Sequence, residues 1–245
     1  MRVRKPLPLV VTVEHASCAL PAACRGLGVR AARLRSHQGW DPGARLVGVH
    51  VARALAAPVF LGRWSRLFVD LNRSATHPRV VPRVAHGEPV PGNRDLDAAA
   101  RRGRIERYWQ PWRDAVERRL AAMVARRGGV LHVSVHSFVG ELDGEVRNAD
   151  FGMLYDPRRA RERALVEQLQ TSLVASGHRV RRNYPYAGRS DGFTSHLRRL
   201  YPDRVYAGIE IEMNQDSVGR PARARRWAED IVEALRPLVA AGGMP

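Results

Sequence analysis

The chain has 245 residues, of which 44% are apolar and 27% charged. That is the balance of a globular protein with enough apolar surface for a real core. No apolar run is long enough to cross a bilayer, and two cysteines, Cys18 and Cys24, are too few for a disulfide framework, so a reducing cytoplasm is expected. The formal charge is +17, but every basic residue except Lys5 is arginine, and the arginines are scattered rather than gathered into a stripe. Nucleic-acid binding as the main task is therefore disfavoured, while a positive field that draws in anionic substrates is expected.

In chain order, the basic start Met1–Pro6 leads into an apolar run from Leu7 to Val13. That run is short, is broken by Pro8, and ends at Glu14-His15 rather than at a cleavage site. Leu9–Val13 reads as a strand covered on both faces. Trp40-Asp41-Pro42-Gly43-Ala44 reads as a helix start, with Asp41 as cap, Pro42 at the first position, and Leu46, Val49, Ala52 and Leu55 as the apolar face. Val59–Leu61 and Leu67–Leu71 read as the next strands. Residues His77 to Asn93 carry four prolines and no period, which predicts a long loop of the kind that borders active sites.

Asp95 to Arg127 is helical, with a break expected at Pro111 and a stop at Gly128-Gly129. Val130–Val135 and Phe151–Tyr155 are strands. Arg158 to Ser176 is a helix, Val180 begins a short strand, and Gly192–Leu200 is a short helix. Val205–Met213 is the last strand and Pro221 to Ala240 the closing helix. Strands alternating with helices predict one α/β domain over residues 1–245 with a mainly parallel, mixed sheet flanked by helices.

In such sheets ligands bind beyond the carboxyl ends of the strands. The chain delivers polar residues there: His15, Asn72-Arg73, His136-Ser137, and Glu210 and Glu212. Two histidines and a carboxylate with one position left open form a usual catalytic zinc set. Asp41 and, as a substitute, His37 are near in sequence to the first of them. Each residue also has a plainer reading: His15 and His136 as satisfied core-edge histidines, Asp41 as a cap, and Asn183 and Tyr186 as turn residues around Pro185. Glu210 and Glu212 alternate with Ile209, Ile211 and Met213, so two carboxylates share one strand face and need a cation nearby. Asp70 lies within an apolar run and needs a partner, with Arg66 or Arg73 as the nearest. Both arginines offer forked donors suited to a carboxylate or a polarised carbonyl.

Val13-Glu14-His15-Ala16, Trp40–Ala44, Ser65–Arg73, His136-Ser137-Phe138, Asn183-Tyr184-Pro185-Tyr186 and Glu210–Asp216 occur in an order that resembles the N-formylglutamate amidohydrolase family, over nearly the whole chain. That family is similar in fold to zinc carboxypeptidases and aspartoacylases. The resemblance implies a Zn²⁺ or other divalent ion on His15, Asp41 and His136, with His37 as fallback ligand. It implies Glu212 as general base with Glu210 as fallback, and Arg66 beside the scissile carbonyl. Asn72 and Arg73 match a pair that grips a substrate carboxylate, and Asn183 and Tyr186 are further substrate-facing candidates. Where the carboxypeptidase pattern has a Glu three residues after the first His, this chain has Cys18, so the third ligand is transferred to Asp41.

The implied partner is a small anionic N-acyl amino acid such as N-formyl-L-glutamate, split into formate and glutamate, an activity linked to histidine degradation. Neither nucleic acid nor membrane is required, and a homo-oligomer is left open. The alternatives are another N-acyl-amino-acid amidase, a carboxypeptidase-like hydrolase of the same fold, and a non-catalytic basic protein associated with nucleic acid.

Overall fold

Period-two alternation decides which residues of each strand meet which layer. The computed structural model describes residues 6–242, and the basic stretch at residues 1–5 lies outside them. Six strands, β1 (Leu9–Val13), β2 (Val59–Leu61), β3 (Val130–Phe138), β4 (Phe151–Leu154), β5 (Val180–Arg182) and β6 (Tyr206–Asn214), form one sheet in the order β2-β1-β3-β6-β4-β5. β2, β1, β3 and β6 run parallel; β4 is antiparallel to β6, and β5 is parallel to β4. The main helices are α1 (Ala44–Ala54), α2 (Gln110–Arg127), α3 (Ala160–Ala175), α4 (Phe193–Leu200) and α5 (Pro221–Ala240). The expected mainly parallel α/β sheet is present.

Apart from Ser137, the odd-numbered residues of β1, β3 and β6 are apolar. They include Val11, Val13, Val133, Val135, Ile209 and Ile211, and they pack beneath α1, α3 and α5 in one continuous core. The even-numbered residues face the other way. At the lower end of that face Val10, Val130 and Tyr206 meet Val116 and Leu120 of α2 and Phe193 and Leu197 of α4. Higher up the same face carries Thr12, Glu14, His132, Ser134, His136, Glu210 and Glu212, all buried. The register places His136 opposite Glu212 and Ser134 opposite Glu210 on adjacent parallel strands.

Leu67–Leu71 is not a strand. Its backbone turns, with Phe68 and Val69 N–H bonded to the Ser65 carbonyl and Asp70 N–H to the Val80 carbonyl. Leu67, Phe68, Val69 and Leu71 instead build a second core with Leu27, Val80, Val81, Val90 and Trp109. A short apolar run reports burial, and burial alone does not separate a strand from a packed turn. The loop from His77 onward wraps this second core and contains a hairpin, Val84–Ala85 with Glu88–Pro89. Buried Arg33 pins that hairpin by donating to the carbonyls of Pro89 (2.6 Å) and Ala85 (2.9 Å).

Helix α1 begins at Ala44, after Gly43 at φ 84°, so neither Asp41 nor Pro42 takes its expected place in the helix start. Its buried face is Ala44, Val47, Gly48, Val51 and Ala52. Of the predicted face only Ala52 is buried. Pro111 does not break its helix. It stands in the first turn of α2, where its missing N–H costs nothing, and the irregularity falls just before it, in a π-helical turn at Ile105–Trp109. Gly128 closes α2 in the left-handed region, its N–H returning to the Val124 carbonyl.

Candidate active site

The polar end of the even face opens into a cavity of about 770 Å³. Its floor is formed by His15 just past β1, His136 near the end of β3, and Glu210 and Glu212 of β6. One side is formed by His37, Gln38 and Asp41, and the other by the turn that bears Arg66, Asp70, Asn72 and Arg73. The His77–Asn93 loop borders it through Arg79, Pro82, Val84 and His86, as expected of a loop of that length.

His15, Asp41 and His136 each offer one ligand atom, and the three atoms lie within 4.8 Å of one another. Asp41 Oδ2 is 2.8 Å from His136 Nδ1 and 3.3 Å from His15 Nδ1. Its other oxygen lies 2.7 Å from Arg66 Nη2. Freed from helix capping, Asp41 faces both imidazoles from the loop before α1. The three are buried and present two nitrogens and an oxygen, a donor set that fits a divalent ion. His37 lines the cavity but stands outside this group; its ring meets His86 edge-on, with centroids 5.1 Å apart. Cys18, at the position of the carboxypeptidase Glu, is also outside it.

Both imidazoles turn Nδ1 inward and Nε2 toward a carboxylate. His15 Nε2 is 2.7 Å from Asp70 Oδ1, and His136 Nε2 is 3.2 Å from Glu14 Oε2. Asp70 therefore pairs with His15. Arg73 is only a distant second partner, at 4.0 Å, and Arg66 belongs to Asp41. Burial would lift the Asp41 carboxyl, but the Arg66 charge and the two histidines outweigh it and hold it well below the usual range. Burial likewise opposes charge on His136, yet hydrogen bonds to Asp41 and Glu14 raise its affinity for a proton well above normal. Burial also disfavours the charged form of His15, and Asp70 reverses this.

Glu212 behaves differently. Burial pushes its carboxyl up to about 7, with His136 pulling down and Asp41 and Glu210 pushing further up. Its Oε2 is buried and has no hydrogen-bond partner among the described residues. Glu210 is engaged: Oε1 accepts from the Thr194 hydroxyl, and Oε2 lies 3.5 Å from Asn72 Nδ2 and 3.9 Å from His136 Nε2. An unpartnered carboxylate poised near neutrality, next to a cluster of metal-type donors, is equipped to take and return a proton.

Asn72 lines the cavity: its Oδ1 accepts the Phe193 N–H (2.8 Å) at the start of α4, while its Nδ2 makes only a long contact with Glu210 Oε2 (3.5 Å) and keeps donor capacity for a ligand. Arg73 lines the cavity and gives one N–H to the Asp191 carbonyl (2.7 Å), and Arg66 lines it as well. Tyr186 lines the rim and accepts from Arg147 (3.1 Å). Asn183 is not brought to the cavity: its side-chain oxygen accepts the N–H groups of Tyr155 (3.1 Å) and Gly188 (3.0 Å) and holds a turn. Sequence reasoning missed Glu14, Arg79 and His86. Only Glu14 had a signal: it shares the even register of Thr12 on a strand whose odd residues are all apolar.

A family model described as N-formylglutamate amidohydrolase matches residues 7–218. Among solved structures, the gene product Atu2144 of Agrobacterium tumefaciens superposes with a TM-score of 0.80 at 30% identity, over 94% of this chain and 91% of that one. The N-formylglutamate amidohydrolase of Ralstonia eutropha JMP134 superposes with a TM-score of 0.74 at 22% identity, over 97% of this chain and 96% of that one, a likeness of fold. No curated protein matches the chain. Because the family match spans every residue named in the cavity, from His15 to Glu212, the chain belongs to the N-formylglutamate amidohydrolase family and is a hydrolase of amide bonds.

Proposed function

We propose that the protein is a zinc-dependent amidohydrolase that cleaves the amide of an N-acyl amino acid, with N-formyl-L-glutamate, giving formate and glutamate, as the first candidate. The observation that carries this reading is the group His15, Asp41 and His136 beside an unpartnered, buried Glu212 at the floor of one cavity. A zinc ion held by the three would lower the pKa of a water toward neutrality and offset charge on the carbonyl oxygen.

The rest of the chemistry belongs to the chain. Glu212 takes a proton from the attacking water and later delivers it to the leaving amine. Arg66 stands beside the donor group, its Nη1 3.4 Å from His15 Nδ1, where its charge meets the oxygen that becomes negative. Arg73 supplies forked donors for the substrate's carboxylate. Arg79 lines the same cavity, and its forked donors favour a substrate with a second carboxylate. Asn72 Oδ1 ties the Arg73 segment to α4, and its Nδ2 is the donor left to join Arg73 on the substrate's carboxylate.

Metal analysis joined to a screen of N-formyl, N-acetyl and longer N-acyl amino acids tests the proposal. The expected result is about one equivalent of zinc per chain, loss of both metal and turnover in His136→Ala, and preference for an N-formyl dicarboxylic amino acid. Turnover that survives both a chelator and His136→Ala would overturn the metal-dependent reading.

A further inference from the structure

The zinc reading leaves without a task the two buried carboxylates that face the outer nitrogens of its imidazoles. Glu14 is 1% exposed and Asp70 9%, and neither belongs to the three-donor group. Burying a carboxylate is expensive unless partners satisfy it. What surrounds each one tells what it is for.

Glu14 lies at the end of a hydrogen-bond chain that runs along the even face of the sheet. Tyr206 O–H is 2.8 Å from His132 Nδ1, and His132 Nε2 is 2.8 Å from Thr12 Oγ1. Thr12 Oγ1 lies 2.7 Å from Glu14 Oε1, and Ser134 Oγ lies 2.7 Å from Glu14 Oε2. Each hydroxyl has one proton to give. Thr12 and Ser134 give theirs to Glu14, so His132 must donate at Nε2 to Thr12 and accept at Nδ1 from Tyr206. Every proton in the chain then points toward Glu14, which acts as acceptor alone. The last group facing that acceptor is His136, whose Nε2 lies 3.2 Å from Glu14 Oε2 and 2.9 Å from Ser134 Oγ. A proton therefore sits on Nε2, and Nδ1 faces Asp41 Oδ2 (2.8 Å) and the cavity, the nitrogen that an ion would take once it displaces the proton shared with Asp41.

The same arrangement recurs at the other imidazole from an unrelated part of the chain. Asp70 Oδ1 lies 2.7 Å from His15 Nε2 and also accepts the N–H of Asn72 (2.9 Å). A carboxylate that receives a backbone N–H is held in place, and it fixes His15 with Nδ1 inward. A one-residue shift in either position would remove the acceptor from its imidazole.

We propose that Glu14 and Asp70 are a pair of positioning residues that force His136 and His15 to present Nδ1, and only Nδ1, to the ion. The inference rests on the metal reading above. Hydrogen-bonding carboxylates behind histidine ligands fix ring orientation and tautomer, and their removal typically weakens metal binding 10–100-fold.

The test compares zinc affinity, by chelator competition, with the tautomers seen by ¹⁵N resonances of labelled histidine in the zinc-loaded protein. Wild type is expected to bind zinc with both imidazoles coordinated through Nδ1 and protonated at Nε2. Glu14→Ala and Asp70→Ala should each lose about 10–100-fold in affinity and blur that uniform pattern at the affected histidine. Glu14→Gln and Asp70→Asn keep an acceptor oxygen, so they should recover most of the loss, which a purely structural role in folding would not produce. Should the alanine variants fail to fold, the amide variants decide on their own: a several-fold weaker affinity at an unchanged melting temperature is the expected result. Unchanged affinity with unchanged tautomers in every folded variant overturns the positioning role while leaving the metal reading intact. A wild-type protein that takes up no zinc overturns both.

Discussion

The two faces of one sheet have opposite character. Seen from α1, α3 and α5, strands β1, β3 and β6 offer apolar side chains at every position but Ser137, and the face is sealed. Seen from the cavity, the same strands and the residue after β1 offer Thr12, Glu14, His132, Ser134, His136, Glu210 and Glu212, the first five hydrogen-bonded to one another. The first face stabilises the fold through apolar burial. The second buries polar groups that cost stability unless paired, and it leaves one of them, Glu212, unpaired. The rigid apolar layer lets the polar layer hold that arrangement.

Substitutions should separate the faces. Glu212→Gln is expected to lower turnover by about two to four orders of magnitude while keeping zinc and melting temperature. Glu210→Gln serves as the control for which carboxylate is the base, and a larger loss there than at Glu212 would assign the proton transfer to Glu210 instead. On the apolar face, Ile209→Ala should cost about 2–5 kcal/mol of unfolding free energy, read by denaturant titration. It should leave the turnover of the folded fraction close to wild type. An Ile209→Ala variant that is stable but inactive would show that the two faces are not independent.

The smallest effect concerns pH. In the metal-free protein His15 and His136 hold protons more tightly than the ordinary 6.5. Their contribution to stability is therefore complete below about 6.5 and is lost as pH rises through their raised values. Glu14 titrates near 2, and Asp41 and Asp70 also lie below the usual range. Their contribution is present above the ordinary carboxylate values near 4 and is lost as pH falls through the lowered ones. The metal-free protein should thus be most stable between these limits. Zinc must displace the histidine protons, so its affinity should climb with pH by about tenfold per unit for each proton released. A calorimetric series between pH 5 and 8, an interval on the order of the histidine range, checks the slope, and a flat profile would mean that the imidazoles are already neutral.

Much of this was readable from the order of residues. Alternation in Val205–Met213 put Glu210 and Glu212 on one face, and the run from Val130 ended at His136, because period two is a local property of an extended chain. The motifs that resemble the family named His15, Asp41, His136, Arg66 and Glu212, and the structure brings all five to one cavity. Other features depended on contacts between distant segments. Leu67–Leu71 has strand-like composition, yet it packs as a turn because a second core takes its side chains. Asp41 could cap α1 as well as face two imidazoles, and the choice was made by His15, His136 and Arg66 arriving from elsewhere.

Glu14 and Asp70 are the sharpest case. Sequence showed Asp70 in apolar company and required that it find a partner, since an unpaired buried charge is too costly to keep; it marked Glu14 only as part of the polar end of its strand. Which imidazole each would find, and on which ring nitrogen, followed only from the stagger of β1 against β3 and from the turn that lays Asp70 beneath His15. Local patterning determined what had to be satisfied; the packing of the sheet decided how.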